Sequence, residues 1–147
     1  MKILLPVDGS DVSLEAVRFA IRMADSGLDT RVVLANVQEP ANLYELVVAH
    51  DPEVLERVRA SAGAHTLEVA QALLAEADID FESEVASGDP AHTLIDILER
   101  HECDLVVMGA SGTGPLRSAL LGSVSNEVLH AAGVPVLIVK SGEEAAE

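Results

Sequence analysis

The segment from Asp104 to Lys140 constrains the chain most, because it sets a buried strand, a glycine-rich loop, a helix and a second buried strand in one run. Leu105-Val106-Val107-Met108 is short, apolar and rich in β-branched residues. Gly109, Gly112 and Gly114 follow at once, so the strand should end where the backbone is free to turn at positive φ. Beyond the loop stand Gly122, Ser123 and Ser125, beside the helical pattern Val124, Val128, Leu129 and Ala132. A helix starting near Ser123 adds unpaired N–H donors, the positive end of the helix dipole and two hydroxyls to the loop. That is an apparatus for holding phosphate.

Fixed-spacing phosphate motifs do not fit. A dinucleotide fingerprint beginning at Gly112-Thr113-Gly114 needs a third glycine where Arg117 stands, and a Walker loop needs a Gly-Lys-Ser/Thr that the segment lacks. What the residues spell is Gly-x2-Gly-x9-Gly-Ser, on Gly109, Gly112, Gly122 and Ser123. With Val124 and the run Pro135-Val136-Leu137-Ile138-Val139, this resembles the nucleotide-binding branch of the universal stress protein family. Pro6-Val7-Asp8-Gly9-Ser10 and Gly88-Asp89-Pro90 are similar to other recurrent segments of that family, so the resemblance spans nearly the whole chain. The alternative for the glycines is that they only make turns.

The rest of the chain supports an α/β reading. Lys2 to Val7 is an apolar run closed by Asp8-Gly9-Ser10, and Leu14, Val17, Ala20, Ile21 and Ala24 then share a helical face up to Gly27. Arg31 to Val37 is a second buried strand, followed by an irregular segment from Gln38 to about Asp51. Asp51-Pro52 is a cap and first-turn proline for a helix reaching about Ala77, amphipathic through Val54, Leu55, Val58, Ala62, His65, Leu67, Val69, Ala70 and Leu73. Ile79 to Ala86 reads as a third strand with partial alternation, and Gly88-Asp89-Pro90 starts a helix with Leu94, Ile95, Ile97 and Leu98 inward. Five strands and four helices in alternation, with strands apolar on both faces, predict a doubly wound parallel sheet covered by helices on both sides.

Residues 1–141 form one domain on this reading, and 142–147 a small acidic tail that frays. The resemblance, not the periodicity, implies the strand order 3-2-1-4-5 of the adenine nucleotide alpha hydrolase-like fold. In such sheets ligands lie beyond the carboxyl ends of the strands, where strand order reverses. That rule selects the residues after the first, second and fourth strands.

The resemblance implies roles for these positions. Asp8, with Pro6 and Val7 before it, contacts the adenine or ribose side; Val37 offers its backbone and side chain to the base; Met108 and Gly109 lie along the ribose. Gly112, Gly122, Ser123 and Val124 hold phosphates through N–H groups and the Ser123 hydroxyl, with Ser125 close by. Each has a plainer alternative: Asp8 as a helix cap, Val37 as core, the serines as caps. Within Gly-x2-Gly this chain has Ala110-Ser111 where family members often carry a basic or imidazole residue, so phosphate binding leans more on metal, and ADP or AMP are ligand choices beside ATP.

Composition narrows the functions. A formal charge of −16 opposes nucleic acid and anionic membranes as partners, and it opposes a nucleotide as well unless N–H donors or a divalent Mg²⁺ or Mn²⁺ offset the field. No apolar run approaches the roughly 20 residues of a membrane span. Met1-Lys2-Ile3 begins a strand without signal-peptide features, which makes the cytoplasm the expected location. Cys103 is alone and reads as an inert core thiol, while His50, His65, His92, His101 and His130 show no metal spacing.

These readings favour an ATP-binding regulatory protein of the stress-response type, with no catalytic residue of its own. Val134 to Val139 is an expected edge strand, and a homodimer through it, as in the family, would cover that edge. A slow ATP hydrolase or ATP pyrophosphatase relative is the second reading, since Asp8-Gly9-Ser10-Asp11-Val12-Ser13 faintly resembles a Ser-Gly-Gly-x-Asp-Ser loop. Its paired glycines are missing, and Glu127 is the only carboxylate near the organising loop. A ligand-free dimeric interaction module is the third. The regulatory protein partner is not legible in any residue.

Overall fold

A computed structural model describes residues 1–39, 51–111 and 121–141. The elements are β1 (Lys2–Pro6), α1 (Asp11–Asp25), β2 (Arg31–Gln38), α2 (Pro52–Glu76), β3 (Phe81–Ser87), α3 (Pro90–Arg100), β4 (Leu105–Gly109), α4 (Ser123–Ala131) and β5 (Val136–Val139). The five strands form one parallel sheet in the order β3-β2-β1-β4-β5. Strand order therefore reverses between β1 and its neighbours β2 and β4. The expected irregular segment after Gln38, most of the glycine loop including Gly112, Gly114 and Arg117, and the expected tail lie outside the described residues.

Alternating side chains divide the core into two layers. Ile3, Leu5, Val32, Leu34 and Val107 face α1 and α2, meeting Ala16, Val17 and Ala20 of α1 and Leu67, Ala70 and Leu74 of α2. Leu4, Val33, Ala35, Val106 and Met108 face the other way, onto Ala91, Leu94, Ile97 and Leu98 of α3 and Val128 of α4. Near-continuous apolar strands are what a sheet covered on both sides requires. At its N-terminal edge the sheet is tied by backbone and carboxylate together: Asp104 N–H donates to the Lys2 carbonyl at 2.7 Å, and Lys2 N–H donates to Asp104 Oδ2 at 2.9 Å.

Three expectations need correction. β3 is not apolar on both faces: Glu82 and Ser83 are exposed because β3 is an outer strand. The buried face of α2 is Gly63, Leu67, Ala70 and Leu74, while Val54, Val58 and Val69 are exposed. A helix of 25 residues runs about 37 Å, whereas the 8 residues of β2 run about 26 Å, so the first turns of α2 outreach the sheet. The last strand covers Val136–Val139, shorter than the expected Val134 to Val139.

Cys103 is 5% exposed in the second core layer, and its burial pushes the thiol up to about 11. A thiolate is the reactive form. The folded protein should therefore resist iodoacetamide at mildly alkaline pH and react rapidly once denatured; equal rates in the two states would contradict the packing. Outside the core, β3 and the end of α3 share an ion cluster. Arg100 Nη2 donates to Glu84 Oε2 at 2.5 Å, and His101 Nε2 lies 2.9 Å from Glu84 Oε1. The Arg100 hydrogen bond, helped by His101 against a partly opposing burial, holds the Glu84 carboxyl below its ordinary value. A depressed carboxyl stabilises the fold above its unfolded pKa and loses that contribution as pH falls through its folded one. Glu84→Gln should accordingly lower Tm at neutral pH, with the gap to the parent closing in acid; a gap constant across pH would contradict this.

Candidate functional site

The carboxyl ends of β1, β2 and β4 lie side by side, and the N-termini of α1 and α4 meet them there. Gly109, the last residue of β4, is the junction. On the α1 side, a Cβ on Gly109 would lie 2.9–3.1 Å from the Val12 methyls and carbonyl carbon, so only glycine allows the first turn of α1 this close to β4. On the α4 side, the buried Ser125 hydroxyl donates to the Gly109 carbonyl at 2.8 Å. The next residue, Ala110, donates its N–H to Val139 of β5 at 2.9 Å and accepts the Gly122 N–H at 2.7 Å.

Gly109 and Gly122 thus serve close approach rather than unusual dihedrals. Among the described residues, the glycines at positive φ are Gly9, Gly27 and Gly88; Gly109 is not among them. Gly122 has φ −63°, and a Cβ there would lie 3.1 Å from the Ser111 Cα. Two backbones touch at this point, which fixes where α4 begins.

Gly122 is the N-cap of α4, Ser123 is its first residue, and no side chain caps the helix among the described residues. The first intrahelical bond runs from Asn126 N–H to the Gly122 carbonyl at 2.9 Å. The N–H groups of Ser123, Val124 and Ser125 are left over at the helix start, as geometry demands of any α-helix. Ser123 is exposed and Val124 half-buried, so the helix end opens outward with a hydroxyl beside its N–H groups. Positive dipole and donors together favour an anion. Ser125, expected near the ligand, spends its hydroxyl on Gly109, and only its N–H belongs to the open end.

On the β1 side, Asp8 does not cap α1. Ser10 does, its Oγ accepting the Ser13 N–H at 3.2 Å. Asp8 Oδ1 accepts the Ser10 N–H at 2.9 Å and the Ser10 hydroxyl at 2.5 Å, and the carboxylate is otherwise exposed. The register Pro6↔Ala35 places Val37, two residues on, level with Asp8. Val37 is half-buried, which fits either an apolar wall or core. Val7 and Met108, by contrast, are 2% and 4% exposed, so their side chains belong to the core and only their backbones approach the crest. Pro6 is the last residue of β1 and half-buried.

The structure therefore brings together Pro6, Val7, Asp8, Val37, Met108, Gly109, Gly122, Ser123, Val124 and Ser125 along one edge of the sheet, with different atoms available from each. Gly112 lies outside the described residues. Asn36, outside the sequence-predicted set, is a buried amide beneath this crest. Its signal was there: one carboxamide inside the apolar run RVVLANV. Among the described residues no group of three or more His, Cys, Asp or Glu side chains is placed to hold a metal, and no helix is long and apolar enough to cross a membrane.

Comparison with known proteins agrees with this architecture. The sequence pattern described as the universal stress protein family matches residues 1–140. A universal stress protein of Methanocaldococcus jannaschii, MJ0531, is 34% identical over 139 residues, covering 95% of this chain and 81% of its own. The structure of universal stress protein UspA from Lactobacillus plantarum superposes with a TM-score of 0.79 at 25% identity, covering 95% of this chain and 97% of that one. A universal stress protein solved in complex with cAMP superposes with a TM-score of 0.66, also at 25% identity, over 95% of this chain and 96% of that one.

Proposed function

This chain belongs to the universal stress protein family, and we propose that it is an ATP-binding regulatory protein whose nucleotide occupancy changes its conformation or its choice of partner. The observation that carries the reading is the N-terminus of α4, without a side-chain cap among the described residues, opening beside Gly109 at the point where strand order reverses. A relative of the same fold is known in complex with cAMP, an adenine nucleotide.

The residues present fit the nucleotide by their donors. The N–H groups of Ser123, Val124 and Ser125 and the Ser123 hydroxyl would hold phosphate oxygens, while Asp8 and Val37 would line the base and ribose side. Charge-assisted hydrogen bonds of this kind are the strong ones. The field of a chain with 25 acidic and 9 basic residues opposes a polyanion, so Mg²⁺ or Mn²⁺ carried on the phosphates would supply charge neutralisation. The Asp8 carboxylate, held by Ser10, would accept a base amine or ribose hydroxyl.

No general base is visible in the described part of the crest: Asp8 is engaged with Ser10, and Glu127 is exposed on α4. Binding rather than turnover is the function these groups support. Pairing of β5, an outer strand, with a second copy would cover its free edge and give a cytoplasmic homodimer. Light scattering at micromolar concentration should return the dimer mass with or without nucleotide; a monomer mass would remove that part. The test of the whole reading is mass spectrometry of small molecules released by denaturing freshly purified protein. An adenine nucleotide in near-stoichiometric amount is expected, and its absence together with no uptake of added ATP would overturn the reading.

A further inference from the structure

Asn36 stands on the α2-facing side of β2, in line with Val32 and Leu34, and is 3% exposed. A buried carboxamide is costly unless its groups are paired. Here they are: Nδ2 donates to the Val7 carbonyl at 2.9 Å, and Oδ1 accepts from Gln38 Nε2 at 2.6 Å. Val7 is the residue between the end of β1 and Asp8, and its N–H already donates to the Ala35 carbonyl at 2.8 Å. Val7 is thus gripped from β2 twice: the Ala35 carbonyl holds its N–H, and the Asn36 side chain holds its carbonyl, which belongs to the peptide leading into Asp8.

Helix α2 is shaped around the same amide. A Cβ on Gly63 would fall 2.8 Å from Asn36 Oδ1 and onto the Val85 Cγ1 methyl. One turn on, the Thr66 methyl lies 3.6 Å from where a Cβ of Gly9 would be, and Gly9 holds φ +89° in the β1–α1 loop. A leucine in place of Asn36 would fill a similar volume but satisfy neither the Val7 carbonyl nor Gln38.

From this we infer that Asn36 is a positioning residue for the nucleotide site: it fixes the Val7–Asp8 peptide, and with it the Asp8 carboxylate, without touching the ligand. The inference rests on the nucleotide reading above and divides that site in two. The base and ribose side depends on Asn36 through Asp8; the phosphate side, built on α4 across β4, does not. Loss of Asn36 should weaken whatever uses Asp8 and spare what uses only the helix N-terminus.

Calorimetry of the full chain with Mg-ATP and with Mg-tripolyphosphate, which has no base or ribose, separates the two. Asn36→Leu should bind ATP about tenfold more weakly, the scale of one buried hydrogen bond, and tripolyphosphate within about twofold of the parent. A merely structural role would move both ligands together, and that result, or an unchanged ATP affinity, overturns the inference. Should Asn36→Leu fail to fold by circular dichroism, Gln38→Leu at the half-buried end of β2 frees the amide and should give the same split at about threefold; no split there overturns it equally. A parent that binds ATP but not tripolyphosphate contradicts the division of the site. A parent that binds neither removes the nucleotide reading itself, which is a different failure from that of Asn36.

Discussion

Ser123→Asp should cost ATP affinity about a hundredfold or more while leaving the protein as stable as the parent or slightly more so. The position is the first residue of α4, exposed, at a helix start with no side-chain cap among the described residues. A carboxylate there meets the positive end of the dipole, which stabilises a helix by about 0.3–1 kcal/mol. The same carboxylate occupies the place proposed for phosphate. Two unit charges of like sign at about 4 Å repel by about 1 kcal/mol in water and about 4 kcal/mol near a protein surface, and each 1.4 kcal/mol or so is a decade in affinity. Opposite signs for stability and binding are what make the variant informative, because damage to the fold would lower both. Thermal melting and ATP titration on one preparation check it, and unchanged ATP affinity would place the phosphates elsewhere.

Gly109→Val should destabilise the protein by about 1–3 kcal/mol, the usual cost of forcing volume into a packed site, and abolish nucleotide binding in whatever remains folded. Val12 leaves no room, since even its backbone carbonyl carbon would be 3.1 Å from the new Cβ. Relief requires α1 to lift from β4, and α1 begins at the loop that carries Asp8. Gly109→Ala meets the same Cβ contact without the branches, so it should show the milder form of both effects. A valine variant that melts with the parent in a denaturant series would show that α1 does not pack on β4 this closely.

These two positions mark how far the sequence carried. The strands were legible because Lys2 to Val7, Arg31 to Val37 and Leu105 to Met108 are apolar runs of strand length, and the caps because Asp51-Pro52 and Asp89-Pro90 are local signals; both aspartates accept first-turn N–H groups as expected. Strand order was not legible from periodicity, since pairing of β1 with β4 joins residues far apart in the chain. The family resemblance carried that. Gly109 matters for a reason its sequence context does not show. Nothing local to Gly109 shows that Val12 will press against it, so its sequence context suggests conformational freedom where the structure shows close approach; nor does the sequence around Gly122 reveal Ser111 as its neighbour.

Side-chain availability was the other blind spot. Val7 and Met108 flank the crest in sequence, yet strand alternation turns both into the core. Asp8 read equally as cap or ligand until Ser10 took the cap. The helical pattern puts Val54 and Val58 on the inner face of α2, yet both are exposed, because a sequence pattern does not reveal where the sheet beneath a helix stops.

The crest formed by β1, β2, β4 and α4 is the proposed adenine nucleotide site. Titration of the unmodified protein with ATP, ADP, AMP and, as control, GTP in the presence of Mg²⁺ tests it most directly. Saturable heat with the adenine nucleotides and markedly weaker binding of GTP is the expected result; no heat with any adenine nucleotide at millimolar concentration, in protein stripped of bound ligand, would contradict it.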